Sequence, residues 1–254
     1  MSDAVLYERR DAVAIITINR PDARNAINEE VRVGLFDAWN RFEADREAHV
    51  AILTGAGDRA FCAGMDMKEA RAAVFTVPPP GHFPIPGDTV PVTKPTISAV
   101  NGIAAAGGWW FAQACDLCVA AEHATFAVTE AKVGRGVAWS TPLIHMLPQR
   151  VMAEVLLTGR AFTAQRLYEL GFVNRVVPGA ALLESALALA AEIAGNAPLT
   201  VRAALATVKA AARLQAVEAQ EAARALFEPV YRSNDAQEGP RAFAEKRAPR
   251  WTAT

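Results

Sequence analysis

"PTISAVNGIAAAGGWWFAQACDLCVAAEHATFAV" (residues 95–128) alternates strand and helix patterns within one short segment. "PTISAVNG", with a predicted strand that ends at Val100, precedes the two glycines, and "DLCVAAEHATFAV" follows them with a second strand pattern. Between them, Gly107 and Gly108 open a short apolar helix. A helix start leaves backbone N–H groups without partners, and glycine allows a ligand to approach them closely. The glycine pair therefore indicates a binding surface that attracts negative charge.

A similar order of elements precedes this segment. "VLYERRDAVAIITINRP" predicts two strands around a turn at Arg10 and Asp11. After Asn28, acidic residues in the first turn and apolar residues at helical spacing predict a helix. Those apolar residues are Val31, Leu35, Trp39 and Phe42. Since "HVAILTGAG" then predicts a buried strand, the fold class is expected to be α/β in layers.

Two later parts of the chain differ in composition from the N-terminal part. Residues 75–95 carry seven prolines and two glycines, which excludes a regular helix or a central strand there. Such a loop is either a lid or pocket wall or a solvated insertion. Beyond Glu130 the sequence predicts mainly helices, which end in alanine-rich segments that pack on one another or on another subunit. We place a boundary near 196–198, with a core at residues 1–196 and a helical oligomerisation region at residues 197–254.

Composition excludes several classes of partner. The 254 residues include 26 basic and 27 acidic ones, for a formal net charge of −1, without long blocks of like charge. We therefore expect no nucleic-acid and no membrane partner. The first residues lack the apolar core of a signal peptide, and no apolar run reaches the ~18 residues of a membrane span. A cytoplasmic location is expected.

The three cysteines, Cys62, Cys115 and Cys118, are too few and too unevenly placed for a disulfide framework. Cys115 and Cys118 form a C-x-x-C spacing, but no second pair and no nearby histidine pattern accompany it. Two small buried residues are favoured over metal or redox chemistry. No metal is expected.

Three segments in order, "AFCAGMDMKEA", "NGIAAAGGWWFAQACDL" and "TFAVTEAKVG", resemble the crotonase superfamily, also called the enoyl-CoA hydratase/isomerase family. The resemblance extends from "NRPDARNAIN" through "LTGRAFTAQRLYELGFVNRVV" to "EGPRAFAEKRAPRW". One such motif alone is weak evidence, whereas their order and spacing are specific. The resemblance implies a crotonase-like spiral of repeated strand-strand-helix units with a C-terminal helical region, in which the core over 1–196 binds an acyl-CoA.

In this family the thioester oxygen of the acyl-CoA meets two backbone N–H groups, which by position are those of Met65 and Gly107. Negative charge builds on that oxygen when the α-proton leaves, and removing one such donor in other enzymes costs about 3–4 kcal/mol. The resemblance thus gives Met65 and Gly107 a catalytic role through their amides. The alternative for the glycines is a turn with close packing.

Hydratases of this family usually carry two glutamates around one water. Glu130 in "VTEAKVG" corresponds to the second, whereas Trp110 stands where the first is expected. No carboxylate occurs between Gly107 and Cys115, and Asp116 is expected to be structural. One carboxylate can shuttle a proton or act as acid and base in turn, so we do not expect two-glutamate hydration.

Trp110 and Glu130 each have an alternative interpretation. Trp110 is predicted to line an apolar or aromatic acyl pocket, with core packing as the alternative. Glu130 is predicted to transfer protons, with a solvated loop carboxylate as the alternative.

The resemblance also implies contacts with CoA. The candidates near the adenine and phosphate end are Ala23, Arg24, Ala63, Asp66, Met67 and Lys68. Lys68 and Arg24 would supply local positive charge. Phe243 and Lys246 match a C-terminal helix that in the family reaches the CoA, often of a neighbouring subunit. CoA is part of the substrate, so no separate cofactor is expected, and the family implies a homotrimer or hexamer. His82 and His145 are given no catalytic role.

The sequence is consistent with three functions. The leading one is an enoyl-CoA hydratase/isomerase type of enzyme that uses Glu130 for hydration, dehydration or double-bond isomerisation of an enoyl-CoA. The alternative from another class is a non-catalytic acyl-CoA-binding protein that has lost the first glutamate. A structural helical-bundle protein, the third, would not bind CoA at all.

Overall fold

The computed structural model describes residues 3–72, 79–212, 214 and 216–254, which form two β-sheets and covering helices. The strands are Val5–Arg10 (β1), Val13–Ile18 (β2), Val50–Gly55 (β3), Ala60–Cys62 (β4), Thr96–Val100 (β5), Ile103–Ala105 (β6), Leu117–Ala121 (β7), Thr125–Ala127 (β8), Phe162–Thr163 (β9) and Arg175–Val177 (β10). The α-helices are Glu29–Ala44 (α1), Met67–Ala72 (α2), Gly107–Ala114 (α3), Gln149–Thr158 (α4), Ala164–Glu169 (α5), Leu182–Ala194 (α6), Pro198–Ala211 (α7), Ala216–Tyr231 (α8) and Asn234–Ala244 (α9). Short 3-10 helices span Pro21–Ala23, Glu130–Val133, Ala138–His145 and Gly179–Ala181.

The N-terminal elements form where the sequence predicts them. β1 and β2 pair antiparallel around a turn in which Asp11 adopts a left-handed conformation with φ 50°. Asn28 caps α1 by accepting a hydrogen bond from the Val31 amide at 3.0 Å. The apolar face of α1, including Trp39 and Phe42, is fully buried. Periodicity and a side-chain cap therefore fix this region locally.

From β3 to β8 the strands alternate between the two sheets. The larger sheet has the order β1-β2-β3-β5-β7-β10, and the smaller has the order β4-β6-β8-β9. Over β3 to β8, each pass of the chain thus adds one strand to the larger sheet and the next strand to the smaller one. Apart from β1–β2 and β8–β9, the strand pairs are parallel. This spiral of strand-strand-helix units confirms the predicted α/β fold class.

Helices cover the larger sheet and extend beyond it. α6 packs on β3, β5 and β7 through small side chains such as Ala186 and Ala190, while α7 and α8 pack mainly on each other. The segments Gly179–Ala194 and Pro198–Ala211 meet at a bend of 108°. The division at residue 197 remains a prediction.

The region beyond Glu130 is less uniformly helical than predicted. β9 and β10 interrupt it, and β10 extends the larger sheet by pairing in parallel with β7. These strands are two and three residues long, too short for their alternation to register in the sequence. In the proline-rich segment, residues 79–95 contain no helix or extended strand as expected, and residues 75–78 lie outside the described residues.

Within the part of the chain that the structure describes, no single helix has the length and hydropathy to cross a membrane. One bent pair, Gly179–Ala194 with Pro198–Ala211, meets the criteria of length and composition jointly.

Candidate active site

Three predicted site positions follow neighbouring strands of the smaller sheet. Met65 comes three residues after β4, Gly107 two residues after β6, and Glu130 three residues after β8. β4, β6 and β8 are adjacent and parallel, so their carboxyl ends lie along one edge. Ligands of open α/β sheets bind at this kind of edge. The topology thus brings together residues that are 65 positions apart in the sequence.

Close packing explains the glycines at this edge. Gly64 has φ +90°, and a β-carbon on it would lie 2.9 Å from the Ala106 β-carbon and 3.5 Å from the Gly107 nitrogen. A β-carbon on Gly108 would lie 1.9 Å from the carbonyl oxygen of Cys62. Only glycine lets the loop after β4 and the start of α3 approach this closely.

The backbone entering α3 is strained. Ala106 precedes the helix with φ 52° and ψ −120°, a conformation that residues with a β-carbon rarely adopt. Its amide is held by the carbonyl of Ala127 at 2.9 Å. This strained residue sets the direction of the Gly107 amide, and nothing about an alanine in the sequence signals it.

Backbone hydrogen bonds hold the chain on either side of Met65. Ile27 forms an isolated parallel bridge with Met65, in which Ile27 donates to the Gly64 carbonyl and accepts from the Asp66 amide. Among the described residues, the hydrogen bonds leave the N–H groups of Met65 and Gly107 without an acceptor. Both residues are half-buried.

Glu130 is a buried carboxylate at the start of a 3-10 turn. Its residue exposure is 8%, which excludes the solvated loop carboxylate kept as the alternative. Oε1 accepts a hydrogen bond from the indole Nε1 of Trp139 at 3.0 Å, whereas Oε2 is shielded from solvent and has no partner among the described residues. Burial raises the pKa of Glu130, and the hydrogen bonds that it accepts offset this only in part.

The two tryptophans of "GGWW" point to different surroundings. Trp109 is fully buried and packs edge-on against Phe126 and Phe172. Trp110 is half-buried, and its ring stacks on that of Trp139 with centroids 5.8 Å apart and planes 15° apart. Trp110 therefore lies beside the residue that binds Glu130, while Trp109 belongs to the core.

The proline-rich segment packs against Trp110. The ring of Phe83 lies 5.0 Å from that of Trp110. Thr89 stabilises the turn that carries Phe83 by donating to the Phe83 carbonyl. Of the two interpretations of this loop, the contact favours a wall next to Trp110.

The segments expected to contact CoA are held together through their backbones. Ala63 donates to the Arg24 carbonyl at 3.1 Å, which joins "PDARN" to "AGMDMK". Arg24, Met67 and Lys68 are exposed, and Ala23 and Ala63 are half-buried. The structure thus brings Ala23, Arg24 and Ala63 to one surface and leaves both cationic side chains accessible.

Asp66 has partners within the chain. Its carboxylate pairs with Arg20 at 3.1 Å and caps α2 by accepting from the Lys68 amide at 3.0 Å. These bonds lower the pKa of Asp66 against the opposing effect of its burial. Asp66 shapes the turn and offsets part of the local positive charge.

Phe243 and Lys246 are not joined to the site within this chain. Phe243 lies on α9 with 87% of its surface exposed, and Lys246 follows the helix with φ 55°. Hydrogen bonds described for α9 tie Asp235 to the amides of Thr252 and Ala253. None of the hydrogen bonds, ion pairs or ring contacts described connects either residue with Glu130.

The cysteines and His145 are further residues whose side chains could take part in chemistry. Cys62, Cys115 and Cys118 are free and buried, and burial raises the pKa of Cys62 and of Cys118 to about 12. His145 is exposed at the end of its 3-10 helix. Over residues 3–72, 79–212, 214 and 216–254, no group of three or more His, Cys, Asp or Glu side chains is arranged to hold a metal ion.

Sequence reasoning missed two residues beside Glu130. Trp139 lies nine residues further on, and Gln113 of α3 donates from Nε2 to the Trp139 carbonyl at 2.7 Å. The helical spacing of Trp110 and Gln113, three residues apart, could have put both on one face of α3. Nothing in the sequence indicated that Trp139 would meet that face.

Known proteins similar to this chain share its sequence and its fold. The family model described as "Enoyl-CoA hydratase/isomerase" matches residues 8–254. The chain is 40% identical over 263 residues to the enoyl-CoA hydratase EchA19 of Mycobacterium tuberculosis, covering 96% of this chain and 94% of that protein. It is 38% identical over 264 residues to the carnitinyl-CoA dehydratase of Salmonella typhi, covering 99% of both. The crystal structure of the enoyl-CoA hydratase EchA1 from Mycobacterium marinum superposes with a TM-score of 0.92, at 40% identity and covering 100% of both chains.

Proposed function

The chain belongs to the enoyl-CoA hydratase/isomerase family, and from this premise we propose that it hydrates or dehydrates an acyl-CoA thioester with Glu130 as its single proton-transfer group. The amides of Met65 and Gly107 form the oxyanion hole in this proposal. The observation that carries it is the buried Glu130 carboxyl with a raised pKa, at the same strand edge as two amides that have no acceptor among the residues described. Perturbed carboxyls of this kind suit proton transfer.

The proposed reaction uses one carboxyl twice. On a 3-hydroxyacyl-CoA, the Glu130 carboxylate takes the proton from C2, the C2–H bond breaks, and the electron pair moves to the thioester oxygen. The two amides stabilise the negative charge on that oxygen. When the pair returns, the C2=C3 double bond forms and the C3–O bond breaks, and the leaving hydroxide takes the proton from Glu130 as water. Hydration is the reverse.

The similar proteins support this choice of reaction. One is named an enoyl-CoA hydratase and another a carnitinyl-CoA dehydratase. The first name describes the addition of water, and the second describes its removal. Isomerisation is the second candidate, because Trp110 stands where a first glutamate is expected. In that reaction Glu130 would take the proton from C2 of a 3-enoyl-CoA and return it at C4.

We propose that CoA lies along the surface formed by Ala23, Arg24 and Ala63. The exposed side chains of Arg24 and Lys68 would meet its phosphates, with Met67 beside them. Asp66 acts through the turn that it caps rather than by touching the anionic CoA. Phe243 and Lys246 are proposed to reach the CoA of a neighbouring subunit in a homotrimer or hexamer, since Phe243 is 87% exposed in one chain.

Glu130→Gln tests the role of the carboxyl. General acid–base catalysis is worth about 10²–10⁴-fold, so kcat should fall by that factor while the Kd for unreactive butyryl-CoA changes little. Turnover of crotonyl-CoA, of longer 2-enoyl and 3-enoyl esters and of 3-hydroxyacyl-CoA is followed by the absorbance of the conjugated double bond. Glu122→Gln, which alters an exposed glutamate after β7, is the matched control and should leave the rates unchanged.

The wild-type pH profile adds a second measurement. Burial raises the pKa of Glu130, and the carboxylate form starts the dehydration, so kcat/KM for a 3-hydroxyacyl-CoA should rise with pH through that raised pKa. Tight butyryl-CoA binding without turnover of any ester would favour the non-catalytic binding protein. Activity of Glu130→Gln equal to that of wild type would remove Glu130 from the mechanism.

A further inference from the structure

Within the described part of the chain, one side-chain donor holds Glu130. The indole Nε1 of Trp139 donates to Oε1 at 3.0 Å, and Oε2 is buried without a partner among the described residues. The two carboxyl oxygens are therefore inequivalent. Oε1 accepts a hydrogen bond from a side chain, and Oε2 accepts none among the described residues.

α3 holds Trp139 at two points. Trp110 stacks on its indole ring with planes 15° apart, and the buried side chain of Gln113 donates to its main-chain oxygen at 2.7 Å. The same helix begins with the Gly107 amide. One short helix thus sets both the direction of an oxyanion donor and the position of the residue that binds the carboxyl.

We propose that Trp139 is a positioning residue, which fixes the Glu130 carboxyl through Oε1 and leaves Oε2 to exchange protons with the acyl group. Trp110 and Gln113 hold Trp139 in place from α3. This inference rests on the proposed function of Glu130. It gives Trp110 a physical role where a first glutamate is expected: its ring supports a neutral donor to the remaining carboxyl.

A neutral donor can change the pKa of Glu130 measurably, because charged side chains do not contribute to the shift of that pKa. α3 carries no charged residue, and Lys132 and Arg135 on the same turn as Glu130 have exposed side chains. The neighbouring α4 carries Arg150 and Glu154, and His145 is exposed on the 3-10 helix that contains Trp139. Besides burial, the groups that shift the pKa of Glu130 are backbone amides and the Trp139 indole, not charges.

Trp139→Phe removes the donor and keeps an aromatic ring against Trp110. A hydrogen bond to a charged group is worth enough that kcat should fall about tenfold or more, with KM changed less than about threefold. The lost bond stabilised the carboxylate, so the rising limb of kcat/KM against pH should move to higher pH. The matched control is Trp251→Phe, which removes another indole donor, to the Gly195 carbonyl at 2.8 Å, and should move neither quantity.

Further measurements separate positioning from general damage. In a Glu130→Gln background, adding Trp139→Phe should cost no further activity if the indole acts through the carboxyl. Trp110→Leu keeps the indole but removes its stacking partner, and should shift the pH profile in the same direction by a smaller amount. That variant tests the proposal even where Trp139→Phe folds poorly.

The proposal can also be tested without turnover. Infrared difference spectra between wild type and Glu130→Gln, titrated with pH, report protonation of the Glu130 carboxyl. In Trp139→Phe that titration should move to higher pH, and an unchanged titration would overturn the inference. Because it needs no substrate, this readout decides the role of Trp139 even if every CoA ester proves inert and the proposed function fails.

Discussion

Gly108 shows how little space separates α3 from β4. We expect Gly108→Ala to destabilise the fold by about 2–4 kcal/mol, because the added β-carbon would meet the Cys62 carbonyl oxygen at 1.9 Å and the backbone must shift. Displacing α3 would also redirect the Gly107 amide. Urea denaturation and the rate with crotonyl-CoA measure the two effects.

Gly136→Ala is the control for this prediction. Apart from its chain neighbours, no atom of the described residues lies within 4 Å of a β-carbon built at Gly136, so the stability of this variant should change by less than about 0.5 kcal/mol. Equal losses in the two variants would mean that the contact between Gly108 and Cys62 is not the cause.

The site residues differ in how visible they are to sequence reasoning. Glu130 and the glycines could be predicted because a motif fixes both their type and their spacing. Ala106 and Trp139 could not, since their roles depend on a strained backbone and on a contact between two segments of the fold. The first shows no local pattern, and the second needs the position of α3.

Asp116 joins the larger sheet to the C-terminal helices. Its Oδ2 accepts from the amide and hydroxyl of Thr96 at 2.8 and 2.7 Å, and its Oδ1 pairs with Lys209 of α7 at 2.7 Å. The side chain of Asp116 is 7% exposed, against 37% for Lys209. The structural role expected for Asp116 is therefore visible in its contacts.

Asp116→Ala should lower the free energy of unfolding by about 2–4 kcal/mol, because it leaves the buried donors of Thr96 unpaired. Lys209→Met removes only the partly exposed ion-pair partner and should cost less than about 1 kcal/mol. Urea denaturation of both variants gives the comparison. Similar losses would mean that the ion pair, not the Thr96 bonds, contributes the stability.

The helices and strands that could be predicted are those with a long apolar pattern in the sequence. α1 and β3 follow from periodicity, and the hairpin of β1 and β2 follows from alternation around Asp11. β10 has three half-buried residues, and its pairing with β7 comes from the return of a distant segment to the sheet. Such a strand is defined by its partner and not by its own sequence.

The C-terminal helices expose much apolar surface. The most exposed large apolar side chains there are Val208, Val217, Tyr231 and Phe243, at 67%, 72%, 76% and 87%. An apolar groove of about 650 Å³ also lies between α7, α8 and the segment at Gly87 and Val92. Apolar surface of this kind marks interaction sites.

Sedimentation of the purified protein should therefore show three or six chains per particle, as the expected trimer or hexamer requires. Tyr231→Glu on α8 should shift the distribution towards single chains, because a charge in an apolar interface is costly. Val33→Glu, at an exposed position of α1, should leave the assembly intact. A monomeric wild type would contradict the oligomerisation role of residues 197–254.

The bridge between Ile27 and Met65 determines which substitutions the chain tolerates at positions 64 and 65. The main chain on either side of Met65 is held by backbone hydrogen bonds, so the Met65 thioether is not needed to hold the peptide unit. In a saturation library, position 65 should accept nearly every amino acid except proline, which lacks the N–H. Its neighbour Gly64, at φ +90° and crowded by Ala106, should accept almost none.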